Sequence, residues 1–259
     1  MTARFSGSRI GTGKVLAIGT ALTLALAGCS GGSTDLNQVS AADQNAPLPS
    51  IPAPNNQDWT QTVQETPEGG YRMGNPDAPV KLVEYASIGC HVCADFSTAG
   101  HEKLTNQYVK SGQVSWEYRP YMLFPTDPGM FLLMRCQGPQ PFFAMAEQLY
   151  ATQKEWMGRL QTLTEAQTQA LSAMPPQQQI PALVKAIGMD QYFRQRGVPQ
   201  ARVDQCLGDT AGLQRLVEIK NRGDTDGVSG TPTFLINGTL AQVTAWSALE
   251  PKLRAAIGS

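Results

Sequence analysis

Val80-Lys81-Leu82-Val83-Glu84-Tyr85-Ala86 runs through Ser87-Ile88-Gly89 into Cys90-His91-Val92-Cys93. The first seven residues are apolar and β-branched enough for a mostly buried strand. Residues 94–110 then read as an amphipathic helix. That order sets two cysteines, two residues apart, at a strand-to-helix junction. Cys90 is expected at or just before the helix N-terminus, where unpaired N–H groups and the helix dipole favour an anion. A thiol pKa lowered there supplies the thiolate, which is the nucleophilic form. Cys93 lies about one turn further on, near enough to close a short disulfide and buried enough to react second. The competing readings are a zinc knuckle and a purely structural bridge. Zinc usually wants a second Cys-x-x-Cys or a Cys/His pair, whereas Cys136 and Cys206 are single and about 70 residues apart. A redox pair is the expected role, with no metal and no other cofactor.

Outward from this junction, residues 114–118 alternate Val, Trp and Tyr with polar residues and read as a second strand. After Pro125 the pattern is helical, punctuated by Gly138-Pro139, Pro175-Pro176 and Gly197-Val198-Pro199. Strand character returns at Thr233-Phe234-Leu235-Ile236, followed by the hairpin signal Asn237-Gly238. A further strand is expected near residues 240–243 and a last helix near 246–256. Pro232 stands at the entry to an apolar strand, a place proline tolerates. A cis Thr231-Pro232 bond would set a fixed kink there. The resulting order is β-α-β, a long helical stretch, then β-β-α.

Tyr71-Arg72-Met73-Gly74-Asn75-Pro76-Asp77-Ala78-Pro79-Val80, with Glu84-Tyr85-Ala86-Ser87 leading into Cys90, resembles the opening of DsbA-like thiol:disulfide oxidoreductases. Gly230-Thr231-Pro232-Thr233-Phe234, with Asn237-Gly238 after it, resembles their cis-proline strand. The resemblance implies an α/β chain with a thioredoxin-like fold and an inserted all-helical domain. Residues 71–125 and 223–259 would form the thioredoxin-like part and 126–222 the helical insertion. It implies Cys90 as the attacking thiol, Cys93 as the resolving thiol, and Thr231-Pro232 facing them to hold substrate. Glu84 falls where the family keeps a buried acid near the pair; the alternative is an exposed strand carboxylate. Many relatives carry Pro then His between the cysteines, whereas this chain has His91 then Val92. Both are candidates for tuning the pair, with His91 as a solvated turn residue the alternative.

The 259 residues carry 20 Lys+Arg against 21 Asp+Glu, and a net charge of -1 argues against a nucleic-acid partner. Arg4, Arg9 and Lys14 precede an apolar run over residues 15–27, too short to span a bilayer but suited to a signal sequence. Leu26-Ala27-Gly28-Cys29 resembles the lipobox of bacterial lipoproteins, which implies a signal peptide over 1–28 and lipid attachment at Cys29. Ordinary cleavage after Ala25-Leu26-Ala27 is the alternative. Residues 30–58 are rich in Ser, Asn, Gln, Pro and Ala, and a flexible tether is expected over 29–70. Acylation of Cys29 leaves four thiols, and export to an oxidising compartment favours a structural disulfide between Cys136 and Cys206. The expected protein is an envelope thiol:disulfide oxidoreductase, periplasm-facing and lipid-anchored, or soluble in the periplasm if Cys29 is not acylated. Its partners would be cysteine-containing envelope proteins and a membrane redox partner. Oxidation is the expected direction; reductase or isomerase action and a non-catalytic peptide-binding or chaperone module are the rivals.

Overall fold

The computed structural model describes residues 47–258. The signal segment and Cys29 lie outside the described residues. Within them, six strands form one sheet in the order β1-β2-β4-β3-β5-β6. They span Val63–Glu65 (β1), Tyr71–Met73 (β2), Val80–Ala86 (β3), Val114–Pro120 (β4), Thr233–Ile236 (β5) and Thr239–Leu240 (β6). Only β3 and β4 run parallel; the remaining neighbours are antiparallel. A parallel pair needs a crossover, supplied by helix α1 (His91–Lys103) and the π-helical turn Leu104–Val109 that continues it. Every residue of β4 is buried, as expected for a central strand covered on both faces.

Alternation along β3 sends its side chains to two different layers. Glu84 and its cross-strand neighbour Phe234 face α1, where the Phe96 and Phe234 rings meet at 4.6 Å. Trp246, from the closing helix α10 (Trp246–Ile257), joins this layer at 6.2 Å from Phe96. Tyr85 faces the opposite side and donates to Asp226 at 2.7 Å, beyond the end of helix α9 (Thr210–Thr225).

Between β4 and β5 the chain forms α2 (Asp127–Arg135), α3 (Phe142–Ala151), α4 (Gln153–Gln161), α5 (Glu165–Ala173), α6 (Pro176–Ala186), α7 (Met189–Arg194), α8 (Gln200–Leu207) and α9. Met130, Phe131, Met134, Phe142 and Phe143 are buried core residues. Cys136 caps α2 and is disulfide-bonded to Cys206 of α8, with Cα atoms 5.7 Å apart across 70 residues of chain. No described helix is long and apolar enough to cross a membrane.

Two expectations change here. The tether expected over 29–70 does not reach residue 70, because folded structure begins well before Tyr71; residues 29–46 lie outside the described residues. Ile51 N–H donates to Ser111 O at 2.7 Å, buried Trp59 donates to Ile51 O at 2.7 Å, and Val63 pairs with Met73 at the sheet edge. The strand expected near 240–243 stops at Leu240. Asn237 (φ 49°) and Gly238 (φ 82°) make the tight turn, but Gln242 (φ 53°) adopts left-handed backbone that ends the pairing.

Candidate active site

Cys90 is the N-cap of α1, with extended backbone at φ -78° and ψ 120°. Its Sγ accepts from the Cys93 N–H at 3.3 Å. The thiol in turn donates to Thr231 O at 3.2 Å. Both cysteines are free thiols, Cys90 at 6% exposure and Cys93 fully buried. The Thr231-Pro232 peptide is cis and brings the start of β5 against the first thiol.

The two sulfurs have opposite electrostatic surroundings. A hydrogen bond from the Cys93 thiol, then the Thr231 side chain and the N–H groups of Cys93 and Val92, pull the Cys90 pKa down to about 6 against the opposing effect of burial. Cys93 is pushed well above the ordinary thiol range, first by burial and then by its neighbours Cys90 and Glu84. Thiolate therefore collects on the outer sulfur, and the inner one stays protonated.

Glu84 is buried, not an exposed strand carboxylate. Burial raises its pKa to about 8; the Cys90 charge adds to that rise, and the indole N–H of Trp116 opposes it. That N–H donates to Glu84 Oε2 at 3.0 Å. Trp116 is fixed in turn by Phe143 at 4.7 Å and His101 at 5.1 Å between ring centres.

His91 is the first residue of α1 and is exposed, while Val92 is half-buried. The structure thus brings together Cys90, Cys93, Thr231 and Pro232, with Glu84 behind them. It leaves His91 on the outside and joins Cys136 to Cys206 in the helical region. Among the described residues no group of three His, Cys, Asp or Glu side chains is placed to hold a metal ion.

Four residues that the sequence did not single out grip this site. Trp116 is one. Asp127, fully buried, accepts from Ser87 Oγ at 2.8 Å and from the N–H groups of Gly89 at 2.9 Å, Leu123 at 2.7 Å and Phe124 at 2.8 Å. Tyr150 donates to Ser87 O at 3.1 Å. Gln153 Nε2 donates to Ile88 O at 2.7 Å and Cys90 O at 2.9 Å. Asp127-Pro128 at a helix start is a visible signal for a helix N-terminus, but nothing in its spacing points to residues 87 and 89. Gly89 is required by contact, since a Cβ there would lie 2.6 Å from the Phe124 ring.

Comparison with known proteins agrees with this geometry. The family model described as Thioredoxin matches residues 66–250. A Rickettsia felis protein whose name describes a protein-disulfide oxidoreductase is 21% identical over 226 residues, covering 80% of this chain and 73% of that one. The crystal structure of protein-disulfide isomerase from Novosphingobium aromaticivorans is similar at TM-score 0.69 and 28% identity, covering 73% of this chain and 97% of that one. Wolbachia pipientis alpha-DsbA1 shares the fold at TM-score 0.57 and 17% identity, covering 80% of this chain and 94% of that one. With a Cys-x-x-Cys pair at the head of α1, a cis-proline opposite it and helices inserted between β4 and β5, the chain belongs to the thioredoxin family.

Proposed function

We propose that this enzyme oxidises cysteine pairs of other envelope proteins through a mixed disulfide at Cys90. The observation that carries the proposal is the split between the two thiols, one held at a helix N-terminus with its pKa near 6 and the other buried with its pKa raised. Stabilising the Cys90 thiolate stabilises the reduced enzyme, and a stabilised reduced form makes the disulfide a stronger oxidant.

With the pair oxidised, a substrate thiolate attacks Cys90 Sγ. The Cys90–Cys93 bond breaks, its electron pair leaves on Cys93, and Cys93 takes up a proton. A second substrate thiolate then attacks the substrate sulfur of the mixed disulfide and expels Cys90 as thiolate. The substrate has lost two electrons in forming its disulfide, and the enzyme carries them until a membrane redox partner accepts them. In the opposite direction Cys93 resolves the mixed disulfide. Thr231-Pro232 is the segment on which a substrate backbone would lie as an added strand. Glu84 sits behind the pair as the buried acid, and His91 and Val92 complete the set that tunes it. The lipid anchor at Cys29 and its signal peptide rest on the sequence pattern, and the mass of the mature N-terminus tests them.

Isomerisation is the second reading, favoured by the name of the Novosphingobium protein. Equilibration of the Cys90–Cys93 pair in defined glutathione buffers tests the oxidising direction, and reshuffling of a scrambled-disulfide substrate tests isomerisation. An oxidase is expected above about -180 mV, toward the strongly oxidising end of the thioredoxin-like range, and a value near -270 mV would overturn oxidation as the direction. A non-catalytic module predicts that Cys90→Ser leaves function intact; the expected result is loss of exchange.

A further inference from the structure

The backbone that carries the reactive thiol is held from outside its own sheet and helix. Between Ser87 and Cys90 the chain leaves β3 and has not yet entered α1, so its polar groups lie beyond both the sheet ladder and the helix interior. They are buried all the same, with Ser87 and Ile88 fully enclosed and Cys90 nearly so. Buried backbone groups need partners. Cys90 N–H donates back to Ser87 O at 3.2 Å, and Cys90 O accepts the first helical N–H, that of Ala94, at 3.2 Å. Side chains from α2, α3 and α4 serve Ser87 O, Gly89 N–H and Ile88 O and give Cys90 O a second donor. Tyr150 of α3 takes Ser87 O, Asp127 of α2 takes Gly89 N–H, and Gln153, the first residue of α4, takes both Ile88 O and Cys90 O. Gln153 is itself only 5% exposed, so these two carbonyls are its working partners and not incidental surface contacts.

We propose that Gln153, supported by Tyr150 and Asp127, is a positioning residue for the Cys90 thiol, through which the helical insertion sets the geometry of the reactive turn. The Cys90 carbonyl is one bond from the Cα that directs Sγ toward the Cys93 N–H. Holding the Ile88 and Cys90 carbonyls on the Gln153 amide keeps their negative ends turned away from Sγ. It also fixes the backbone angles that bring Sγ to 3.3 Å from that N–H. Without Gln153 the Ile88 carbonyl loses its donor and the Cys90 carbonyl keeps only the Ala94 N–H, so the turn relaxes and the N–H alignment at the sulfur loosens. The titratable groups facing Cys90 are Cys93 on α1 and Glu84 on β3, with His91 exposed beside them; Gln153 is neutral, so its effect is one of geometry. The inference rests on the reading of Cys90 as the exchanging thiol.

The test uses the full chain with Gln153→Met, which keeps the volume and removes both donors, and Tyr150→Phe, which removes one hydroxyl from a ring that stays in place. The Cys90 thiolate is titrated by its ultraviolet absorbance and by the pH dependence of alkylation, with circular dichroism to verify the fold. Gln153→Met is expected to raise the thiolate midpoint by about one unit and to slow alkylation below that midpoint about tenfold. Tyr150→Phe is expected to shift it in the same direction by less, about twofold in rate, and decides the matter if the first variant does not fold. An unchanged midpoint in the folded variants, even with lower thermal stability, overturns the proposal, because a merely structural side chain moves stability alone. Cys90→Ser separates the two claims. Exchange that survives it defeats the reading of Cys90, whereas exchange lost in Cys90→Ser with an unmoved titration in Gln153→Met defeats only the positioning role.

Discussion

The four cysteines of the described region form two pairs whose surroundings differ in one respect. Cys90 and Cys93 flank the first turn of a helix, where backbone N–H groups point at a sulfur. Cys136 and Cys206 join the end of α2 to α8, and Arg202 donates to the Cys136 carbonyl at 2.7 Å. The first pair sits at a helix N-terminus, where free N–H groups stabilise a thiolate, and the second at the C-terminal ends of α2 and α8, where carbonyls are left over. On the proposed function the same functional group is a labile reagent in one place, while in the other it is a disulfide staple.

The contrast is tested most severely by removing each pair. Cys136→Ala with Cys206→Ala opens a loop of 70 residues and is expected to lower unfolding free energy by about 4 kcal/mol on the chain-entropy model. Urea unfolding should show that loss while the Cys90 thiolate midpoint stays in place. A shifted midpoint would mean that the staple and the reactive turn are coupled.

Proton linkage sharpens the difference further. The folded Cys90 pKa of about 6 lies below the ordinary thiol value of 9.0. Between those values the unfolded chain holds a proton that the folded one has released, so stability of the reduced protein rises with pH through that window. The full span is worth roughly 2–4 kcal/mol. Glu84 acts in the opposite sense. Its folded pKa of about 8 exceeds the ordinary 4.5, so its contribution is fully present below about 4.5 and is lost as pH rises toward 8. Reduced Glu84→Gln protein is therefore expected to gain stability from pH 6 to 9, and oxidised Glu84→Gln protein to stay nearly flat. Equal slopes in the two redox states would refute the thiolate assignment. No comparable slope is expected from Cys136 and Cys206, which carry no titrating thiol while bonded.

Trp116 gives a smaller effect within the same region. Trp116→Phe keeps a ring between His101 and Phe143 but removes the donor to Glu84 Oε2. An acceptor left unpaired in a buried site costs about 1–3 kcal/mol. The Glu84 midpoint should rise further, and the measurement is its carboxyl signal followed by infrared or NMR titration. A lowered midpoint would show that another donor had taken the place of the indole.

The parts of this contrast that rest on chain neighbours were legible in the sequence, and those that rest on distant side chains were not. Val80–Ala86 followed by Cys90 placed the thiol at a strand-to-helix junction, because strand periodicity and helix termini are local properties. Pro232 before an apolar strand marked the cis site for the same reason. Val63-Gln64-Glu65 gave no strand signal, being three residues long with two of them exposed; its state is set by pairing with β2. Asp127 and Gln153 lie far along the chain from the turn they hold. A hydrogen bond from a side chain to a remote backbone carbonyl leaves no periodic trace, so the resemblance to DsbA-like proteins gave the reactive pair but not its clamp.

His91 is where the smallest effect is expected and where the contrast between reagent and staple meets its edge. It stands next to Cys90 yet is exposed on the first turn of α1, where solvent screens its charge. Its charged form would still favour an adjacent thiolate. His91→Ala should therefore raise the Cys90 midpoint by about half a unit at low salt, and the shift should shrink as salt is added. A shift larger than that caused by Gln153→Met would transfer the main tuning role from the backbone clamp to the imidazole. A shift of zero at every salt concentration would leave the thiolate to the N–H groups, Cys93 and Thr231 alone.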